Sequence, residues 1–277
     1  MIRSLSIIFL LFSTAAFADT PKRVVSVGGA LTETVYALGA GELLVGSDTT
    51  SYYPEAAANS PKVGYQRALS AEGILSLSPD LVIMTDEAGP PPVLAQLNSA
   101  GVNMLTLNAG RSLEDVKQNI DVIAKALDQE EEGTELIASL SATEAKLKDA
   151  IAGQGEPKKI MFILQHTGGA PMVAGVNTAA DSIIRLAGAE NVVTGYEGYK
   201  PLSPESATSL APEILLVTSQ GVEQAGGVDS IFAVPGLSLT PAAKEKKVVV
   251  MDSLLLLGFG PRTADAALEL NRKSNDL

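Results

Sequence analysis

Ser70-Ala71-Glu72-Gly73-Ile74-Leu75-Ser76-Leu77-Ser78-Pro79-Asp80-Leu81-Val82-Ile83 has a counterpart 133 positions further on. There, Ser203-Pro204-Glu205-Ser206 leads in the same way to Pro212-Glu213-Ile214-Leu215-Leu216. In each copy a serine and a glutamate start a short helix, a proline–acid pair closes it, and an apolar run follows as a buried strand. The glutamate stands seven residues before the proline both times. Upstream the parallel continues: Thr32-Glu33-Thr34-Val35 to Leu38-Gly39-Ala40-Gly41-Glu42 is matched by Thr178-Ala179-Ala180-Asp181 to Leu186-Ala187-Gly188-Ala189-Glu190. A repeat on this scale predicts two lobes of one topology.

Strand and helix signals alternate outward from these stretches. Arg23 to Val27 reads as a strand running into Gly28-Gly29, a tight strand-to-helix turn, with a helix from about Thr32 to Leu38. Leu43 to Gly46, Pro79 to Met84 and Val102 to Leu107 are further strands, and Val93 to Ala100 a helix between the last two. Lys159 to Leu164 supplies the first strand of the second copy. Alternation of this kind indicates open parallel sheets. Leu113 to Leu127 closes the first lobe, and Glu130 to Ile151 carries Leu136, Leu140, Leu147 and Ile151 along one face. About twenty helical residues span about 30 Å and are stiffer than a flexible linker, so little hinge motion is expected. The fold class is therefore α/β: two Rossmann-like lobes with mainly parallel sheets joined by one long interdomain helix. The divisions are a signal peptide over 1–18, an N-terminal lobe over 19–128, the helix over 129–153 and a C-terminal lobe over 154–277.

Composition removes several functions. The chain of 277 residues has no Cys and one His, which excludes zinc fingers, Cys-ligated iron–sulfur clusters, disulfides and the HExxH metalloprotease pattern. A net charge of −12 argues against a nucleic-acid partner. Arg3, the apolar Leu5 to Phe12 and the small-x-small Ala16-Phe17-Ala18 make a secretory signal, with cleavage expected after Ala18. With no lipobox Cys, the mature protein is expected in the periplasm as a monomer without a lipid anchor. No GxSxG elbow and no phosphate loop is present, and Leu44 replaces the third glycine of the incomplete pattern starting at Gly39. No catalytic residue is singled out.

Ligands of open α/β sheets sit beyond the carboxyl ends of the strands, here the cleft between the lobes. Gly64-Tyr65-Gln66-Arg67 lies in one of the loops there. A phenol has a pKa near 10, and both a neighbouring cation and ferric iron favour the phenolate. From the residues alone, a loop tyrosine that packs its ring and exposes its oxygen is the better reading. His166, at the end of the Ile160 to Leu164 strand, is either a ligand or a solvated side chain. Any metal site must take its other protein ligands from Tyr, Met, carboxylates or carbonyls.

The stretch 72–83, with Gly64 to Gly73, Pro171 to Asp181 and Gly258-Phe259-Gly260-Pro261-Arg262, resembles the substrate-binding proteins of ABC importers that have a rigid interlobe helix. These carry haem, siderophores and cobalamin, and the 64–73 stretch is similar to the haemin-binding branch. The resemblance covers the whole mature chain. It implies a periplasmic protein, not an enzyme, that captures ferric haem in the interlobe cleft and delivers it to an inner-membrane ABC permease. It also implies that Tyr65 is an axial iron ligand, that Arg67 stabilises it, and that His166 is a second ligand present in some members only. Glu72 and Glu205, one per lobe, match the carboxylates that dock onto permease arginines, and their equivalence within the repeat suits a two-fold partner. Tyr52, Tyr53, Tyr196 and Tyr199 are candidates to wall the porphyrin, and Arg262 a candidate propionate contact. The number of haems, one or two, stays open. A ferric siderophore or cobalamin is the alternative cargo, a haem chaperone without a permease another role, and a secreted hydrolase using His166 the alternative of a different class.

Overall fold

The computed structural model describes residues 20–165 and 170–277. The expected signal segment over 1–18 and His166 lie outside the described residues. In the first lobe, β1 (Val24–Val27), β2 (Leu44–Ser47), β5 (Leu81–Thr85) and β6 (Met104–Leu107) form a four-stranded parallel sheet in the order β2-β1-β5-β6, while β3 (Gly64–Tyr65) and β4 (Ala68–Leu69) make a separate hairpin. β1 and β5 are buried along nearly their whole length, as the covered faces of a parallel sheet require. The lobe's helices are α1 (Gly29–Ala37), α2 (Glu55–Ala58), α3 (Ala71–Ser76), α4 (Pro91–Ser99) and α5 (Leu113–Ala126).

α6 (Glu130–Ala152) runs for 23 residues out of this lobe. Beyond it, β7 (Lys159–Gln165), β8 (Met172–Ala174), β9 (Glu190–Asn191), β10 (Tyr199–Pro201), β11 (Ile214–Thr218) and β12 (Val248–Met251) build the second sheet in the order β10-β8-β7-β11-β12, with β9 beside β7. Its centre is parallel, but β8 and β10 run antiparallel on one edge. The second lobe carries α7 (Ala179–Leu186), α8 (Pro204–Leu210), α9 (Ser219–Gln224), α10 (Val228–Phe232), α11 (Pro241–Lys244), α12 (Ser253–Leu257) and α13 (Thr263–Asn275). The two-lobed α/β architecture with one long connecting helix is the one expected.

α1 begins at Gly29, three residues before the expected start. Gly28 makes the turn at φ 113°, a conformation open to glycine, and the first helical amides are satisfied from a distant loop. Gly28 N–H donates to Asp48 Oδ1 at 3.0 Å and Gly29 N–H to Thr50 Oγ1 at 2.8 Å. No residue local to the helix announces that cap. α6 packs on α5 and, more extensively, on α13, burying Leu140 and Leu147. One apolar cluster thereby runs from Val24, Leu38 and Ile120 through Leu147 to Ile183, Leu216 and Leu270, across both lobes. Each lobe keeps a second cluster on the far face of its sheet, around Val82 and Ile74 in the first and Met161 and Ile231 in the second.

Candidate functional site

Tyr65 sits on the β3–β4 hairpin. Gly64 before it has φ 106°, and a Cβ there would stand 2.7 Å from the Ala68 carbonyl oxygen, so glycine is needed for the hairpin to close. The hairpin is laced to the loop after β5: Gly89 N–H donates to the Gln66 carbonyl at 2.9 Å and Leu69 N–H to the Gly89 carbonyl at 3.0 Å. That loop is tied onward to the one after β6, through Asp86 N–H to the Leu107 carbonyl at 2.9 Å and Ala109 N–H to Asp86 Oδ1 at 2.9 Å. The hairpin and the loops that follow β5 and β6 thus form one frame.

The frame presents a chain of polar side chains. Tyr65 is 42% exposed, and Arg67 Nη1 donates to its hydroxyl at 2.8 Å. Arg67 Nη2 bonds to Glu87. The other Glu87 oxygen takes Arg111 Nη2 at 2.7 Å, and Arg111 Nη1 reaches the Asn177 carbonyl of the second lobe, also at 2.7 Å. Burial works against the charge on Arg67, but the Tyr65 oxygen and the Glu87 carboxylate outweigh it, and its pKa is raised. Arg67 is therefore a permanent cation aimed at an accessible phenol oxygen.

Two further contacts cross between lobes. Tyr52 Oη donates to Asp252 Oδ2 at 3.0 Å and accepts from Leu254 N–H at 2.8 Å, while Gln220 Nε2 reaches Asp252 at 2.8 Å. Burial raises the Tyr52 pKa, so the hydroxyl keeps its proton at neutral pH. Asp252 is also partly buried, which opposes its charge; bonds from Leu255 N–H, Gln220 and Tyr52 reverse that and hold it below the usual range. Arg262 grips Glu33 on α1 with Nε and Nη2 at 2.7 and 2.8 Å, and its guanidinium lies 3.6 Å from the centre of the Tyr53 ring. A crevice of about 380 Å³ opens beside this pair, lined by Tyr36, Tyr53, Leu136 and Asp265 among others.

The expected site residues are thus distributed as follows. Tyr65 and Arg67 are in direct contact. The Tyr52 hydroxyl is engaged in the interlobe tie and the Arg262 guanidinium by Glu33. The Tyr196 ring fills the space left by the missing side chain of Gly175, with its hydroxyl buried and without a partner among the described residues. Tyr199 stands edge-on to Phe162 at 6.4 Å, and burial pushes its pKa up. Leu164, at the carboxyl end of β7, is exposed. Glu72 and Glu205 are both exposed second residues of their helices, each behind a serine cap: Ser70 Oγ accepts from Gly73 N–H at 3.0 Å and Ser203 Oγ from Ser206 N–H at 3.2 Å. Its own N–H and Ser203 hold the Glu205 carboxyl below its ordinary range. Sequence reasoning missed Glu87 and Arg111. Their partners lie 20 to 66 positions away, and only the spacing of acid and base after consecutive strands hinted at them.

Two α/β lobes that meet at a seam, with Tyr52, Tyr53 and Tyr65 exposed, have the form of a two-lobed binding protein. Comparison with known proteins agrees. The chain belongs to the periplasmic binding protein family, whose model matches residues 24–255. Among solved structures it is similar to the periplasmic haem-binding protein BhuT in complex with two haems, with 44% identity, a TM-score of 0.89, and coverage of 92% of this chain and 98% of that one. The apo form of the periplasmic haem-binding protein RhuT from Roseiflexus sp. RS-1 is similar at 41% identity and a TM-score of 0.88, again covering 92% and 98%. Of the curated proteins, the vitamin B12-binding protein of Vibrio vulnificus (strain CMCP6) is 29% identical over 268 residues, 95% of this chain and 93% of that protein.

Proposed function

We propose that this protein captures ferric haem between its lobes in the periplasm and delivers it to an inner-membrane ABC permease. The observation that carries this reading is the Tyr65–Arg67 pair, an accessible phenol oxygen with a guanidinium donating to it at 2.8 Å. Tyrosine is an established protein ligand of haem iron, and an oxygen donor suits the oxidised metal. The arginine offsets the negative charge of the bound phenolate. His166, next in sequence after β7, is the candidate second iron ligand. The division into a signal segment over 1–18, lobes over 19–128 and 154–277 and a connecting helix over 129–153 belongs to the same proposal, as does docking through Glu72 and Glu205. The protein works by binding and release, without catalysis.

The relatives named for vitamin B12 give the competing cargo. Haem is favoured by the higher identity to the haem-binding relatives and by Tyr65, which offers a donor to a metal that needs one. An absorption titration with ferric haemin, run beside one with cyanocobalamin, tests both. The purified protein should develop a Soret band and a charge-transfer band with haemin, and Tyr65→Ala should abolish or strongly shift the latter. An unchanged Tyr65→Ala spectrum overturns the ligand assignment; tight binding of the cobalamin alone overturns the cargo.

A further inference from the structure

We infer that Glu87 is a positioning residue of the iron site, holding Arg67 in the orientation that places Nη1 on the Tyr65 oxygen. The inference rests on the reading of Tyr65 as the haem ligand. The Arg67 side chain is 49% exposed, and a long exposed arginine keeps many rotamers unless a second contact removes them. Glu87 supplies that contact by taking Nη2 while Nη1 stays on the phenol. A guanidinium held at both ends of its fork has one orientation left.

Glu87 is itself held, through a second arginine and through the loop that carries it. Its second oxygen is taken by Arg111 at 2.7 Å. Its backbone lies in the loop after β5, between Asp86, bonded to the Leu107 carbonyl, and Gly89, bonded to the Tyr65 hairpin through Gln66 and Leu69. The carboxylate and the phenol are thus mounted on one hydrogen-bonded frame, with Arg67 spanning the gap between them. Charge argues the same way. Arg67 and Arg111 would repel across this small region without an anion between them, and Glu87 is the carboxylate that touches both. Because Arg111 also grips the Asn177 carbonyl, the arrangement is anchored to the second lobe as well. The iron ligand's partner is therefore set by a residue that is 22 positions from the phenol in sequence and bonds to Arg67 and Arg111 rather than to the phenol itself.

The test uses ferric haemin with the parent protein and the Glu87→Ala, Glu87→Gln, Arg67→Ala, Tyr65→Ala and Arg67→Ala/Glu87→Ala variants. It reads the phenolate-to-iron charge-transfer band and the rate of haem loss to an excess of a haem scavenger. Glu87→Ala should shift the band in the same direction as Arg67→Ala and speed haem loss at least about tenfold, the lower end of what one charge-assisted hydrogen bond supplies. Glu87→Gln, which keeps the shape but not the charge, should fall between parent and Glu87→Ala. The double variant should match Arg67→Ala alone, because Glu87 acts through Arg67. A Glu87→Ala protein with the parent's band and rate, where Arg67→Ala changes both, overturns the inference, and so do effects that add in the double variant. A Tyr65→Ala protein with the parent's band overturns the ligand reading itself and takes this inference with it.

Discussion

A single backbone angle decides whether the phenol at residue 65 can be presented at all. Gly64 must adopt φ 106° with no Cβ, because one would lie 2.7 Å from the Ala68 carbonyl oxygen. Gly64→Ala should strain the hairpin by about 1–3 kcal/mol. The strain is confined to a two-residue strand at the edge of the frame. The expected outcome is a far-UV spectrum like the parent's with haem binding weakened at least several-fold in the absorption titration; parent-like affinity would show that the hairpin tolerates the methyl group. This residue was legible in sequence as a flexible flank of Tyr65, and Arg67 as its neighbour two positions on. Glu87, Arg111 and Asp252 were not legible in the same way. Each acts on a partner brought near only by the packing of distant loops or by the meeting of the two lobes, which no local spacing encodes.

Elements were easier to read where they carry their own punctuation. Pro79-Asp80 and Pro212-Glu213 mark the entry to β5 and β11, and the serine caps mark α3 and α8. The early start of α1 escaped because its cap comes from Asp48 and Thr50, and the antiparallel β8 and β10 escaped because short edge strands lack a distinct period. The packing of α6 on α5 also depends on a pair invisible locally. Glu144 of α6 accepts Lys117 of α5 at 2.7 Å and Lys148 one turn along α6 at 2.6 Å. Those two bonds, that from Lys117 foremost, lower its pKa in the folded protein. A carboxyl depressed on folding stabilises fully above its unfolded value, about 4.3, and loses that contribution as pH falls through the folded one. Glu144→Gln should therefore lower Tm at pH 7 by an amount equivalent to about 0.5–1 kcal/mol, and the gap to the parent should close as the melt is repeated below pH 4. A gap that persists in acid would mean that the glutamate acts through packing alone.

At the scale of the whole molecule, the two lobes carry exposed carboxylates at equivalent helix positions, Glu72 and Glu205. The Glu72→Ala/Glu205→Ala double variant should bind haem as the parent does yet fail to support uptake by cells that carry the cognate permease; normal uptake would reject the docking role. Cohesion of the lobes rests on the apolar cluster through α6 and α13 and on the seam contacts. Of these, Glu33 with Arg262 is the most secluded, the carboxylate side chain being 7% exposed. Glu33 fixes the charge of Arg262, whose pKa is raised by that bond first and by the neighbouring Tyr53 and Asp252 as well. Arg262→Ala strands a buried carboxylate and should cost about 3 kcal/mol, read as a Tm several degrees lower, whereas Arg262→Met with Glu33→Met should recover most of the loss. A single variant as heat-stable as the parent would show that the pair contributes nothing to cohesion.

That secluded pair has a consequence for behaviour on warming. Removing two ions from water is penalised less as temperature climbs, because the ordering of solvent around charge becomes costlier to maintain. The grip between the halves therefore strengthens relative to the greasy interior of each just when the interiors start to fail. The receptor should keep its two jaws registered up to the point of collapse, and come apart in one step.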